Sequence, residues 1–168
     1  MTRLGVLALA TVCICVLAAQ LHAVTPSGTL GVGRYWGTGG GSTGLAVNLE
    51  VDIPLRADLS FAPSVAFWTV KEEDVSISDI TPGAGLKVYL LPENAAVRPY
   101  AGARGGLHIL MGYSKSYKHF GLNGVAGAGI KVAPSVRVPV EASYGVIFGE
   151  EGRTLNVLSF RAGIAVRL

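Results

Sequence analysis

From Gly28 to its end the chain is a succession of segments, about ten residues each, in which every second residue is apolar. Residues 43–53 show the pattern most cleanly. Leu45, Val47, Leu49, Val51 and Ile53 share one parity, while Gly44, Ala46, Asn48, Glu50 and Asp52 share the other. A period of two places these sets on opposite faces of an extended strand. Eight such segments can be drawn, at approximately 28–37, 43–53, 57–70, 77–91, 97–112, 119–132, 136–148 and 154–168. The parity opposite the apolar one is rich in glycine and charge: Gly83, Gly85, Gly102, Gly106, Gly121, Gly127, Gly129, Gly145 and Gly163 all take it.

Half of the residues are hydrophobic and only 15% are charged, an apolar balance for a soluble domain, yet the strands alternate. An apolar face that recurs on every strand, backed by small and polar residues, describes a transmembrane β-barrel with lipid outside and a narrow lumen inside. Ten residues at about 3.4 Å each, tilted by about 40°, rise roughly 25 Å, the height of an outer-membrane apolar band. The fold expected is therefore all-β: an eight-stranded antiparallel up-and-down transmembrane β-barrel over residues 24–168. A soluble barrel of lipocalin type is the competing architecture; it would put Leu45, Val47 and Leu49 in the centre and the charges outside.

The N-terminus has the three parts of an export signal. Met1-Thr2-Arg3 is a short basic start, Leu4–Ala19 carries no charge, and Gln20-Leu21-His22-Ala23 supplies a small-residue cleavage site. Residues 1–23 are read as a cleavable signal peptide, since 16 apolar residues are short of the ~20 that span a bilayer as a helix. Both cysteines, Cys13 and Cys15, lie in that segment, so the mature chain offers no disulfide and no thiol nucleophile. The formal net charge of +3 gives no electrostatic footprint for nucleic acid.

The connections alternate in character. Pro54-Leu55-Arg56, Leu91–Ala96 and Ala133-Pro134-Ser135 contain proline. Thr38–Ser42, Lys71–Ser76, Gly112–Lys118 and Gly149–Arg153 are Gly-rich or charged and are read as short, solvated surface loops. Trp36, Tyr113, Tyr117, Phe120, Tyr144 and Phe148 cluster near them as an aromatic girdle would. Three prolines, Pro63, Pro82 and Pro139, fall inside strands. Each removes a ladder donor, and a bulge is expected where Pro63 and Pro82 nearly oppose one another. Arg34 takes the lipid parity, where it can snorkel beside Trp36, unless that Gly-rich strand has the other phase.

Several stretches are similar to the OmpA-like outer-membrane barrels. Pro99-Tyr100-Ala101-Gly102-Ala103 resembles the central Pro-Tyr-small-Gly-small strand of that family, and Phe120–Gly129 the Gly-alternating strand after it. Val138-Pro139-Val140-Glu141-Ala142-Ser143-Tyr144 resembles the strand with an acidic residue before Tyr. Phe160–Leu168 resembles the C-terminal signal read by the outer-membrane insertion machinery, departing from it by ending in Leu168 where an aromatic is usual. The resemblance implies an exported, monomeric barrel of the bacterial outer membrane, in contact with its lipid and lipopolysaccharide, with no cofactor.

By parity the lumen receives Glu50, Asp52, Asp79, Lys87, Arg98, Arg104, His108, Lys131, Arg137, Glu141, Arg161 and Arg167. Charges in so narrow a space must find partners. A lumen network of Glu50 and Glu141 with Lys87, Arg104, Lys131, Arg137 and Arg161 is expected. It is read first as a plug in a non-enzymatic barrel with a structural or surface-exposed role, alternatively as the gate of a narrow pore for ions or small solutes. A lipid A-modifying enzyme would need a histidine, a serine and a carboxylate together at the outer rim. His119, Ser114, Ser116 and Asp74 supply the types without a His-x-Ser sequence. In the expected mature chain, two histidines read as well apart and no cysteine give no metal site.

Overall fold

A computed structural model describes residues 24–37, 40–72, 75–112, 115–149 and 154–168. The proposed signal peptide, Asp74, Tyr113 and Ser114 lie outside the described residues. Eight strands follow one another: β1 (Thr25–Gly37), β2 (Gly40–Arg56), β3 (Leu59–Glu72), β4 (Val75–Tyr89), β5 (Val97–Gly112), β6 (Lys115–Ala133), β7 (Val136–Phe148) and β8 (Thr154–Val166). Each pairs with its sequence neighbour, and β1 pairs with β8, closing an antiparallel barrel. Closure leaves no sheet edge, so every strand can pair on both sides.

The alternation seen in the sequence becomes the two faces of the wall. Leu30, Val32, Leu45, Leu49, Phe61, Phe67, Leu86, Leu122, Val140 and Phe160 stand exposed on the outside. Glu50, Arg104, Glu141 and Arg161 are buried inside. This excludes the lipocalin-type arrangement, which needs the opposite. Arg34 is exposed with Val32 on the outer face, so β1 has the lipid-side phase.

Strand pairing is strongly staggered. Partners followed from Ser27 run through Glu50, Ser64, Gly83, Gly106, Gly121, Ile147 and Leu155, whose neighbour Asn156 pairs with Trp36, at the far end of β1 from the start. A stagger of this kind tilts the strands and sets which residues share a depth. It also brings backbones close. A Cβ on Gly163 would lie 1.9 Å from the Gly28 carbonyl oxygen, and one on Gly31 1.9 Å from that of Phe160. Both sit on the β1–β8 seam, where glycine is required by contact alone.

The three internal prolines are accommodated differently from the expected bulge. β3 and β4 pair without a register shift from Leu59↔Val88 to Glu72↔Val75, straight through Pro63 and Pro82. The break lies on each proline's other side: pairing skips Val51–Asp52 opposite Ala62–Pro63, Thr81–Pro82 opposite Leu107–His108, and Val138–Pro139 opposite Gly163–Ile164, then resumes in register. A missing N–H faces only one neighbour, so only one ladder loses rungs. The actual register shifts lie at the strand ends, between Pro54 and Arg56 and between Lys131 and Ala133.

The strands also run further than expected at the loop end. β1 and β2 pair to Gly37↔Gly40, β3 and β4 to Glu72↔Val75, and β5 and β6 to Gly112↔Lys115. At the other end the first turn is Ala57-Asp58, since Pro54–Arg56 continue β2. Both chain ends of the barrel lie there, tied by the Leu168 N–H donating to the Val24 carbonyl at 3.1 Å.

Candidate functional site

The lumen is crossed by a belt of alternating charge. From β4, Lys87 donates to Glu50 on β2 and reaches Asp52 at 3.3 Å. From β5, Arg104 donates to the other oxygen of Glu50 and stands 3.6 Å from Glu141 on β7. From β8, Arg161 donates to Glu141 Oε1 at 2.5 Å. Two tyrosine hydroxyls take up remaining lone pairs: Tyr100 donates to Glu141 at 3.1 Å and Tyr89 to Asp52 at 3.0 Å. The Lys87 ammonium also lies 4.8 Å above the Tyr100 ring. Three carboxylates thus face three cations, as burial of ions in so narrow a space demands.

Of the expected network, the structure brings together Glu50, Lys87, Arg104, Glu141 and Arg161. It does not place Lys131 and Arg137 with them. Arg137 instead donates to main-chain carbonyls, to Gly129 at 2.9 Å, to Ala95 at 3.0 Å and to Glu93. Lys131 is exposed at the same end. The stagger is the reason: both lie near the β6–β7 turn, too close to the chain ends to reach the belt.

Above the belt sits a second polar cluster. Asp79 Oδ2 accepts from Tyr35 at 3.0 Å and Thr81 at 3.1 Å, and is 2.6 Å from His108 Nδ1. Trp68 also faces inward, its ring tilted against Tyr35 at 3.6 Å between centroids. The His108 ring lies against Gly121, where a Cβ would fall 2.5 Å from Nε2. Tyr35, Trp68, Thr81, Tyr89 and Tyr100 are lumen residues that charge alone does not reveal. The available signal was parity: Thr81 and Tyr89 share it with Asp79 and Lys87 on β4 and Tyr100 with Arg104 on β5, while Tyr35 and Trp68 take the parity opposite Val32 and Phe67 on β1 and β3.

Cavities lie on either side of the belt. One of about 60 Å³ is lined by Arg104, Arg161, Asp79 and His108. The other, about 340 Å³, opens at the chain-terminal mouth and reaches up to Asp52, Lys87 and Tyr100. At that mouth Arg56 pairs with Asp58 at 3.1 Å, a hydrogen-bonded contact that holds the exposed Asp58 carboxyl, in the turn outside the strands, below its usual range.

Of the candidates for rim catalysis, Ser116 and His119 are among the described residues. His119 is stacked with Tyr117 at 6.3 Å. Tyr117 shares the lumen parity with His119, so it departs from the girdle that Trp36, Phe120, Tyr144 and Phe148 form on the outer face. His108 and His119 are not far apart as expected: the β5–β6 register makes them direct cross-strand partners. Among the described residues, no group of three or more His, Cys, Asp or Glu is placed to hold a metal.

A closed barrel with an apolar exterior and an ion-paired interior has the architecture of the small eight-stranded outer-membrane β-barrels. Solved structures bear out the fold. The chain is similar to Neisserial surface protein A, with a TM-score of 0.77 at 18% identity over 86% of this chain and 97% of that one. It is also similar to Ail, the attachment invasion locus protein of Yersinia pestis (TM-score 0.52, 18% identity, 86% of this chain and 99% of that one). A third likeness is to the N-terminal β-barrel domain of OprF from Pseudomonas aeruginosa (TM-score 0.51, 14% identity, 88% of this chain and 98% of that one). No protein-family model and no curated protein matches the sequence.

Proposed function

We propose that this protein is an integral outer-membrane barrel with a structural, non-catalytic role, exported through residues 1–23 and working as a monomer. The observation that carries this is the belt, which joins β2, β4, β5, β7 and β8 across the lumen and leaves no carboxylate of the six-member set without a cation. Lipid would meet the outer face. The exposed Arg34, beside Trp36, suits lipopolysaccharide phosphate, and the alternating Phe160–Leu168 segment suits the insertion machinery. Leu49→Arg, placing a cation midway along an outward face, is expected to cost about 2–4 kcal/mol in vesicle-embedded protein. Urea titration in vesicles measures it, and an unchanged midpoint would remove Leu49 from the lipid face.

A gated pore is the second reading, favoured by one specific feature. Glu50 is shared between Lys87 and Arg104, and Glu141 between Arg104 and Arg161, so partner exchange could join the two cavities into a file of water. Planar-bilayer recording separates the readings. Silence from folded, inserted wild-type protein is expected for the structural role. Discrete steps that change in Arg104→Gln would establish the pore instead.

A further inference from the structure

The 340 Å³ cavity at the chain-terminal mouth has the volume of a small-molecule site and a lining of mixed chemistry. Six cations line it: Arg56, Lys87, Arg98, Lys131, Arg137 and Arg167. Three are neutralised. Arg56 pairs with Asp58, Lys87 with Glu50 and Asp52, and Arg167 with Glu93 at 2.6 Å. Arg98, Lys131 and Arg137 form no ion pair among the described residues; Glu93, already paired with Arg167, acts on Arg137 only from a distance.

These three are also close together. Arg98 on β5 pairs in register with Gly129 on β6, Lys131 on β6 pairs with Arg137 on β7, and Arg137 donates to the Gly129 carbonyl. Adjacent strands are about 4.8 Å apart, so the three positions lie within roughly two strand spacings around a residue with no side chain. Both guanidiniums are held in place. Arg98 lies 3.7 Å over the Tyr89 ring and donates to the carbonyls of Leu91 at 3.2 Å and Ala57 at 2.9 Å, while Arg137 is fixed by carbonyls of Gly129 and the β4–β5 turn. Carbonyls carry no net charge; they orient a guanidinium without neutralising it.

Three like charges gathered around a concave, partly desolvated space repel one another unless an anion joins them. Oriented guanidiniums with an adjacent ammonium form a donor set matched to phosphate oxygens. We propose that this vestibule binds a soluble, phosphate-bearing small molecule of more than one negative charge. The belt above it closes the site toward the lumen and leaves entry from the chain-terminal side.

The test is calorimetric titration of inorganic pyrophosphate into the folded barrel in octyl glucoside, which carries no phosphate, at about 0.1 M salt, where distant charges are screened. Saturable binding is expected, weakened about tenfold or more in Arg98→Gln and in Lys131→Gln, and unaltered in Lys118→Gln, which removes an equal charge at the opposite end. The Lys131 side chain makes no hydrogen bond or ion pair among the described residues, and its main-chain bond to the Ala96 carbonyl survives substitution, so its variant tests the site even if Arg98→Gln fails to fold. Absence of saturable binding, full affinity in Lys131→Gln, or equal weakening in Lys118→Gln would overturn the assignment. Displacement of pyrophosphate by phosphatidylglycerol dissolved in the same micelles but not by glycerol phosphate would overturn it too, since the site would then belong to a lipid headgroup.

Discussion

Glu141→Gln is expected to destabilise the folded barrel by about 3–5 kcal/mol, the cost of removing one partner from a buried ionic cluster. The substitution keeps the side chain's shape and hydrogen-bonding capacity but leaves two buried guanidiniums, Arg104 and Arg161, sharing one fewer carboxylate. The donated hydrogen bond from Tyr100 can persist, so the loss should be chiefly that of charge. Urea unfolding in lipid vesicles, followed through Trp36 and Trp68, gives the number. A second substitution, Arg161→Gln, restores the balance of charge and should recover a substantial part of the loss. The double-mutant cycle therefore reports the coupling directly. A loss below about 1 kcal/mol for Glu141→Gln would mean that water reaches the belt and screens it as it screens a surface pair.

The other large effect concerns closure. Gly163→Ala is expected to cost about 3 kcal/mol or more, and Gly31→Ala with Gly163→Ala to prevent the barrel from closing, because each Cβ would meet backbone rather than a side chain that can swing aside. The readout is the compact, heat-modifiable band of folded barrels in detergent gels. Gly124→Ala is the matched control. Its Cβ would rest 3.8 Å from the Tyr144 carbonyl oxygen, an ordinary contact, and its band should be unchanged. Normal migration of the Gly31/Gly163 double variant would show that the seam can open by the needed distance.

The architecture was legible because a strand's two faces are written into alternate residues. Leu45/Leu49 against Asn48/Glu50 is sufficient to distinguish outside from inside, and the structure puts them there. Strand ends were less legible. Gly40–Ser42 and Lys115–Tyr117 belong to β2 and β6, yet beyond the apolar band no solvent forces alternation on them. The charges of the lumen could be named by parity, but their depth could not. Depth depends on the stagger between strands, which is a property of the closed barrel and not of any one segment. Along β7 the rise alone separates Glu141 from Arg137, four residues apart; the stagger decides that Arg104 and Arg161 on other strands share Glu141's depth. The prolines illustrate the same limit. Pro63 signals a lost hydrogen bond, but only the pairing on both sides shows that β2, and not β4, forgoes it.

The hairpins at the loop end carry a consequence for what the outside world can touch. Strands that pair as far as Gly37↔Gly40, Glu72↔Val75 and Gly112↔Lys115 spend nearly all of their length in the wall. For an antibody, a phage tail fibre or a protease approaching a cell that carries this barrel, what stands beyond the apolar band is paired strand ending in a brief connection, which offers little open chain to cut. The same brevity makes those hairpins convenient grafting points: a foreign epitope inserted there would stand alone above the rim, with almost no native sequence competing for the eye of the binder.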